Sequence, residues 1–201
     1  MKKYLLCFLL LFFSTFIFAE NIITIKPTFT TGAIGHKNGD NIIEGTKLGL
    51  SLTGEYLYVF SSGLSVGTDI SVLASTFTES TDVNSYLTAS VVLHGGGFSI
   101  APALGWTFNN RSLIQIVLFP IIFETISYNV DYTIGNRNMT TQYRIDYKAL
   151  KSGICGNFEW GWNTFKLGFS VGANVIWNDN YRDGANFGLE FTSSGNVSFL
   201  F

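Results

Sequence analysis

The last strand-like segment of the chain, from Phe187 to Phe201, shows the pattern that recurs along the whole sequence. One parity carries Phe187, Leu189, Phe191, Val197, Phe199 and Phe201, and the other carries Gly188, Glu190, Thr192, Ser194 and Asn196. A period of two predicts a β-strand with one apolar and one polar face. The pattern therefore predicts an all-β protein.

Similar alternation predicts ten antiparallel strands. They cover about 23–33, 47–60, 64–74, 86–94, 98–108, 113–122, 126–134, 143–160, 165–177 and 187–201. Tight turns are expected at 61–63, at Gly95-Gly96, where glycine accepts positive φ, and at 161–164. The join near 123–125 lacks Gly, Pro and Asn, and treating 110–142 as one large loop gives eight strands instead. The alternation of 126–134 favours ten.

The connections alternate between short turns and longer polar segments at 35–46, 76–85, 135–142 and 178–185. This is typical of a membrane barrel whose two ends face different compartments. A parity change at Leu150 predicts a β-bulge near Ala149, and the three prolines are expected near the inner rim. Aromatic side chains are expected in two girdles, with Tyr58, Phe60, Phe98, Trp160, Phe165 and Phe199 at the inner rim and Trp106, Phe108, Tyr132, Trp177 and Phe187 at the outer rim.

The N-terminal segment predicts export. Lys2 and Lys3 precede an apolar run from Tyr4 to Phe18, and Ala19 suits cleavage by a signal peptidase. The run is shorter than the roughly 18 residues of a spanning helix, so we interpret 1–19 as a secretory signal peptide and 20–201 as a single barrel domain.

Composition supports a lipid-facing barrel. Aromatic residues make up 16% and charged residues 13% of the chain, whereas soluble domains carry roughly 25% charged residues. Beyond the signal peptide, no apolar run approaches the length of a spanning helix. Removing Lys2 and Lys3 leaves ten basic and 14 acidic residues, a formal net charge of −4. This disfavours nucleic acid as a partner. One cysteine, Cys155, remains, so no intrachain disulfide is expected.

The signal peptide, the alternating strands and an amphipathic C-terminal strand ending on Phe201 together resemble small bacterial outer-membrane β-barrels of the OmpX, OmpW and OmpA-transmembrane class. The resemblance implies a transmembrane antiparallel up-and-down β-barrel in the bacterial outer membrane, in contact with outer-membrane lipid. It also implies that the barrel-assembly machinery binds the C-terminal strand through Val197, Phe199 and Phe201. No cofactor is implied.

The polar strand faces predict a charged lumen. Its charged or titratable members are Lys26, Lys47, Glu55, Asp69, His94, Asp131, Glu159, Lys166 and Glu190. The 61–63 turn sets Glu55 opposite Asp69, with Lys26 placed to bridge them, and a two-residue turn at 162–163 would set Glu159 opposite Lys166. We take Lys26, Glu55, Asp69, Glu159 and Lys166 as the candidate lumen charge cluster. It could select permeating ions, but a hydrogen-bonded plug is favoured.

No catalytic constellation stands out. His36 lies in the first outer connection near Asp40, His94 lies beside the expected inner turn, and Cys155 is a lone thiol of the lumen. No cluster has metal-ligand or cofactor-binding spacing. The sequence thus favours a non-enzymatic barrel with a structural or surface-interaction role through short polar loops. Its alternatives are a narrow porin-like channel for ions or small solutes and, third, an enzyme at the rim. An extracellular ligand of the loops is not identified.

Overall fold

A computed structural model describes residues 20–38, 41–84, 87–109, 112–134, 137–179 and 186–201. The predicted signal peptide 1–19 and the tips of the outer connections lie outside the described residues. So do the side chains of His36, Asp40, Tyr132 and Phe187, so their predicted positions stay predictions.

Eight strands form the described part of the chain. They are β1 (Glu20–Asn38), β2 (Asn41–Val59), β3 (Leu64–Asn84), β4 (Leu87–Asn109), β5 (Ser112–Ile134), β6 (Arg137–Gly161), β7 (Phe165–Asp179) and β8 (Asn186–Leu200). Each strand pairs antiparallel with the next, and β8 pairs with β1, which closes the barrel. The described residues contain no helix long and apolar enough to cross a membrane.

The prediction of ten strands is wrong, because two expected turns lie inside continuous strands. β4 passes straight through Gly95-Gly96, and neither glycine has positive φ. Gly95 instead permits close strand packing, since a Cβ on Gly95 would collide with the carbonyl oxygen of Ser127, as one on Gly97 would with that of Thr125. β5 likewise runs unbroken through 123–125, where no turn residue exists.

The alternative count of eight is correct, but its premise of a large loop at 110–142 is not. That segment contains all of β5 and the start of β6. The first three predicted outer connections are also largely strand; in the first, for example, β1 ends at Asn38 and β2 begins at Asn41. The polar segments therefore continue the barrel wall outward as paired hairpins.

Proline marks the breaks in the ladder of strand pairs. Pro102 and Pro120 fall in the interrupted stretch between β4 and β5, and Pro27 falls in the interruption between β1 and β8. A proline has no N–H to donate, so it interrupts a ladder wherever it stands. The prediction that the prolines lie close to the inner rim is wrong for all three, because they lie about seven or eight residues from the inner ends of β1, β4 and β5.

A bulge on β5 reverses which side chains face inward. Phe119 pairs with Gly153 and Ile122 with Lys151, so Pro120 and Ile121 together oppose the single residue Ser152. Before the bulge the odd-numbered residues are buried; after it the even-numbered residues are buried. The upper half of β5 therefore turns its apolar side chains inward, where a polar face had been expected.

The bulge predicted near Ala149 is not needed. Tyr147, Ala149 and Lys151 on β6 are all buried, so the inward parity is unbroken there. The irregularity at this level belongs to β7, where Leu150 pairs with Asn178 and Lys151 with Ile176. Trp177 is the extra residue, and its indole Nε1 donates to Ser152 Oγ at 3.1 Å.

An apolar belt surrounds the lower part of the barrel. Exposed aliphatic and aromatic side chains cover every strand there, for example Leu50 (66%), Leu118 (51%) and Phe169 (50%). Such a surface is costly in water and suits lipid, where a closed barrel also satisfies every strand edge. The inner aromatic girdle includes Trp106 and Phe108 of β4, which had been expected at the outer rim; β4 reaches the inner rim because it does not turn at Gly95.

Above the belt, β4, β5 and β6 continue with polar side chains facing outward and apolar side chains facing inward. We call their outward side chains the outer wall, and its members are His94, Ser127, Asn129, Asp131, Arg144, Asp146 and Lys148. Inward, the same strands bury Leu93, Ile126, Tyr128 and Tyr147. A sheet that hides its apolar side and exposes its polar side is suited to water. The barrel therefore projects out of the lipid on this side.

The boundary between the apolar belt and the outer wall can be tested with a pair of variants on β5. Leu118→Lys places a charge in the middle of the belt and is expected to lower the free energy of unfolding by about 2–4 kcal/mol in a bilayer. Asn129→Lys adds the same side chain on the outer wall and should change it by about 0.5 kcal/mol at most. Urea unfolding in phospholipid vesicles measures both. Equal losses would contradict this boundary.

Candidate functional site: the charged barrel interior

Seven of the nine predicted lumen residues turn their side chains into the barrel. Those buried are Lys26, Lys47, Glu55, Glu159, Lys166 and Glu190, and Asp69 is half-buried. His94 and Asp131 instead lie on the outer wall, where Nε2 and Oδ2 are 3.9 Å apart. The reversed parity above the β5 bulge explains the error for Asp131.

The lower charged group lies on β1, β2 and β3. Lys26 Nζ is 2.7 Å from Glu55 Oε2, and strand register places Glu55 directly opposite Asp69. The side-chain oxygen Asp69 Oδ1 is buried without a hydrogen-bond partner. One lysine thus faces two carboxyl groups, of which it contacts Glu55.

Glu159 and Lys166 do not form the predicted ion pair. Gly161 pairs with Lys166, which sets Glu159 opposite Gly168, because three residues rather than two separate β6 from β7. Lys166 Nζ instead lies 3.5 Å from the carbonyl oxygen of Trp162, near the inner rim. Glu159 Oε1 accepts a hydrogen bond of 3.0 Å from Asn196 Nδ2.

A second charged group, which we call the ion ring, comprises Lys47, Glu124, Lys151 and Glu190. Lys47 Nζ lies 2.7 Å from Glu124 Oε1 and 2.8 Å from Glu190 Oε1. Lys151 Nζ lies 2.7 Å from Glu124 Oε1 and 2.8 Å from Glu190 Oε2. All four side chains are buried, and their formal charges cancel. The ion ring links β2, β5, β6 and β8 across the lumen.

Sequence reasoning missed Glu124 and Lys151. Glu124 had been assigned to a turn, and Lys151 followed a supposed change of parity. Pro120 within an alternating segment was the available signal, because proline in a strand commonly accompanies a bulge.

A cavity of about 120 Å³ separates the two charged groups. Its walls are rich in hydroxyl groups, including those of Thr28, Ser51, Ser71, Ser99 and Thr192. At roughly 30 Å³ per molecule the space could hold about four waters. The small inward residues therefore leave a polar cavity at this level of the barrel.

Two clusters of buried apolar side chains lie inside the barrel. Toward the inner rim, one cluster packs Ile22, Leu57, Val59, Ala101, Ala103, Leu113, Val117, Phe119 and Leu200. Toward the outer end, another packs Phe77, Leu93, Ile126, Tyr128, Tyr147, Ala149 and Ile176. Both clusters are less than 10% exposed throughout. Buried polar side chains, among them Gln115, Asn157 and Glu159, lie at the same level as the inner cluster, since strand register sets Glu159 opposite Leu113.

The C-terminal strand lies in a position to act as an assembly signal, although its binding to the machinery stays a prediction. Phe199 and Phe201 are 39% and 66% exposed at the inner rim. Phe201 also exchanges two backbone hydrogen bonds with Asn21, of 2.8 and 3.0 Å. The terminal residue thus fastens β8 to β1 while its ring stays accessible.

The groups considered for catalysis are not assembled into a reactive site among the described side chains. Cys155 lies in the lumen wall with Sγ 3.2 Å from Asn157 Oδ1. His94 Nδ1 lies 3.2 Å from Thr76 Oγ1 on the outside of the barrel. Within the described residues, no group of three or more His, Cys, Asp or Glu side chains is placed to hold a metal ion.

No protein-family model matches the sequence, and no curated protein matches it either. Several solved structures have a similar chain trace. The attachment invasion locus protein Ail of Yersinia pestis, in complex with the heparin analogue sucrose octasulfate, is 11% identical, with 91% of this chain and 99% of that chain covered and a TM-score of 0.42. Neisserial surface protein A is 8% identical, with 89% and 96% covered and a TM-score of 0.39.

The outer membrane protease OmpT from Escherichia coli is also 8% identical, with 91% and 96% covered and a TM-score of 0.45. Identity this low leaves the chemistry to be argued from this chain's own residues. This chain combines a closed antiparallel wall of eight described strands, an exposed apolar belt and a buried charged interior.

Proposed function

We propose that this protein is an integral outer-membrane barrel with a structural or surface-interaction role, a closed lumen and no enzymatic activity. The observation that carries the proposal is that mutually paired buried charges and two buried apolar clusters together fill the barrel interior. Buried charges that satisfy one another brace a barrel. A permeation path would need a continuous wet passage.

The surface-interaction part of the proposal is supported by the outer wall. β5 and β6 contain 23 and 25 residues, whereas about 9–11 residues suffice to cross a membrane as a tilted strand. The additional length forms a rigid, paired, polar sheet outside the lipid. Such a surface can present side chains to a partner without a long loop.

Planar-bilayer conductance of the refolded mature protein tests the closed lumen. We expect no steady openings from protein whose folding is verified by the mobility of unboiled samples on gels. A pore-forming peptide added afterwards to the same bilayer verifies that channels would be detected.

A narrow channel is the second candidate, favoured by the polar cavity and by the half-satisfied carboxyl groups of Glu55 and Asp69. It predicts steady openings whose ion selectivity changes in Glu55→Gln or Asp69→Asn. Asp146→Asn, on the outer wall, serves as the matched control and should leave selectivity unchanged. Openings with this pattern would replace the closed-lumen proposal.

A further inference from the structure

The lower charged group of β1, β2 and β3 contains one base and two acids. Lys26 Nζ lies 2.7 Å from Glu55 Oε2, but Glu55 Oε1 and Asp69 Oδ1 are buried without a hydrogen-bond partner among the described residues. Glu55 is 2% exposed, and strand register places it directly opposite Asp69. Two adjacent carboxylates repel each other, and one ammonium group balances only one of them. Because an uncompensated charge is costly in a buried place, this group lacks one positive charge.

The other described lysines of the lumen do not supply that charge. Lys47 and Lys151 each contact two acids within the ion ring, whose charges already cancel. Lys166 lies near the inner rim, with Nζ 3.5 Å from the carbonyl oxygen of Trp162. The acid that strand register brings closest to Lys166 is Glu159, two residues away along the facing strand. The missing charge of the lower group therefore has to come from outside the described side chains.

The wall beside Asp69 is rich in oxygen atoms. Asp69, Thr53, Ser71 and Ser99 all line the lumen cavity of about 120 Å³, and strand register places Ser71 between Thr53 and Ser99. Thr53 Oγ1 and Ser71 Oγ are 2.7 Å apart, and a hydroxyl group in a hydrogen bond keeps a lone pair to offer. Carboxylate, hydroxyl and water oxygens are the ligands that hard cations prefer. The cavity has space for waters that would complete a coordination shell.

We propose that this part of the lumen binds one alkali cation, Na⁺ or K⁺, through the carboxylates of Asp69 and Glu55 and the hydroxyl groups of Thr53 and Ser71. A single positive charge balances the group together with Lys26. A divalent ion would leave an excess positive charge beside that lysine, and Mg²⁺ also gives up its waters reluctantly.

The proposed site contains only two acids, so it is not one of the clusters of three or more His, Cys, Asp or Glu side chains that the described residues lack. The inference does not depend on a closed lumen, because a cation site beside a channel would have the same ligands. It assigns a bound ion to the barrel interior in addition to the proposed structural or surface-interaction role.

Urea unfolding of the refolded protein in phosphatidylcholine vesicles tests this site. NaCl or KCl is increased in steps, and N-methylglucamine chloride, whose cation is too large for the site, keeps the ionic strength constant. A cation that binds only the folded protein lowers the equilibrium constant for unfolding by up to about tenfold for each tenfold increase in its concentration. We expect this dependence for the unmodified protein, and the two salt series show which alkali cation binds more tightly.

Three variants assign the dependence to this site. Asp69→Asn removes one ligand and the excess negative charge, so the dependence on the alkali cation should disappear while the protein stays folded in N-methylglucamine chloride. Ser71→Ala keeps both carboxylates and removes one ligand, so the same dependence should need a higher cation concentration. Asp131→Asn is the matched control, because its carboxylate is 48% exposed on the outer wall, and it should behave like the unmodified protein.

Several results would overturn the proposal. A dependence that persists unchanged in Asp69→Asn would place the cation elsewhere. A stability that is independent of Na⁺ and K⁺ but falls as the pH is raised would mean that a proton takes the place of the cation, and independence of both would mean that Lys26 alone suffices. Gel mobility of unboiled samples verifies that each variant is folded. Bilayer conductance is a separate measurement, so failure here is distinguishable from failure of the proposed function.

Discussion

Replacing Glu190 by glutamine is expected to lower the free energy of unfolding by about 3–5 kcal/mol, because removing one partner leaves a buried charge uncompensated. Glu190 contacts both lysines of the ion ring, with Lys47 Nζ at 2.8 Å and Lys151 Nζ at 2.8 and 2.9 Å. In Glu190→Gln, two buried ammonium groups would share the single carboxylate of Glu124. Urea unfolding in phospholipid vesicles measures the loss.

The double variant Glu190→Gln/Lys151→Met separates charge balance from packing. It removes one acid and one base, and the pair between Lys47 and Glu124, 2.7 Å apart, remains intact. Glutamine and methionine are close in size to the residues they replace, so little volume is lost. We expect the double variant to recover most of the stability lost in the single variant.

Asp146→Asn provides the surface reference. Its carboxylate is 68% exposed and lies 3.9 Å from Arg144 Nε, and an exposed pair contributes about 0–1 kcal/mol. A Glu190→Gln loss no larger than that of Asp146→Asn would show that the lumen is wet at the level of the ion ring. A double variant less stable than Glu190→Gln alone would show that packing, and not charge balance, dominates there.

Local alternation was sufficient to predict strands, but not where they end. β2, β3, β6 and β7 were predicted to within a few residues at their inner ends, because real turns at 60–63 and 162–164 separate them. Gly95-Gly96 looked like a hairpin turn, since glycine permits positive φ. The same residue type is equally suited to a place where two strands approach closely, and the sequence alone does not distinguish these uses.

The sequence predicts which side chains of a strand face inward only for the segments between β-bulges. The opposition of Glu55 and Asp69 follows from the turn at 60–63 and agrees with the register of β2 and β3. A single extra residue at Pro120–Ile121 reverses the inward parity of β5 beyond it, so Ile126 and Tyr128 fill the lumen where the polar face was expected. One unrecognised bulge therefore moved these two side chains from the outside to the inside.

The ion ring could not be assembled from the sequence for a related reason. Lys47 is 77 residues from Glu124 and 143 residues from Glu190 along the chain. Their contact depends on the closure of eight strands and on the correct parity of each. A search for charged residues at nearby positions finds Lys26, Glu55 and Asp69, which neighbouring strands bring together, but it does not find groups that meet across a lumen.

The mutual pairing of the charges in the ion ring helps to keep the barrel interior packed. Each lysine contacts two acids and each acid contacts two lysines, so no charge depends on water entering from either end. Tyr147 of the outer cluster lies against the ion ring, with Lys47 Nζ 5.9 Å from its ring centre. The charged layer and the apolar layer above it thus form one packed unit.

Phe119→Ala is expected to lower the free energy of unfolding by about 3–5 kcal/mol. Removing the ring loses the transfer free energy of its buried atoms and also leaves an unfilled cavity. Phe119 is 8% exposed in the inner apolar cluster. Phe191→Ala on β8 is the matched control, since Phe191 is 55% exposed on the outside. Phe191→Ala should lower the free energy of unfolding by about 2 kcal/mol, which is the transfer free energy of the ring alone, because fluid lipid fills the space that the ring leaves.

The difference between these two phenylalanine variants therefore measures how tightly the lumen is packed. A residual cavity costs about 24 cal/mol per Å³. A difference of roughly 1–3 kcal/mol between the losses of the two variants therefore corresponds to a cavity that neither lipid nor neighbouring side chains can fill. Equal losses would mean that water or collapsing side chains occupy the space, which is incompatible with a tightly packed inner apolar cluster. Conductance of Phe119→Ala gives the complementary result: brief openings absent from Phe191→Ala would identify the inner apolar cluster as the barrier.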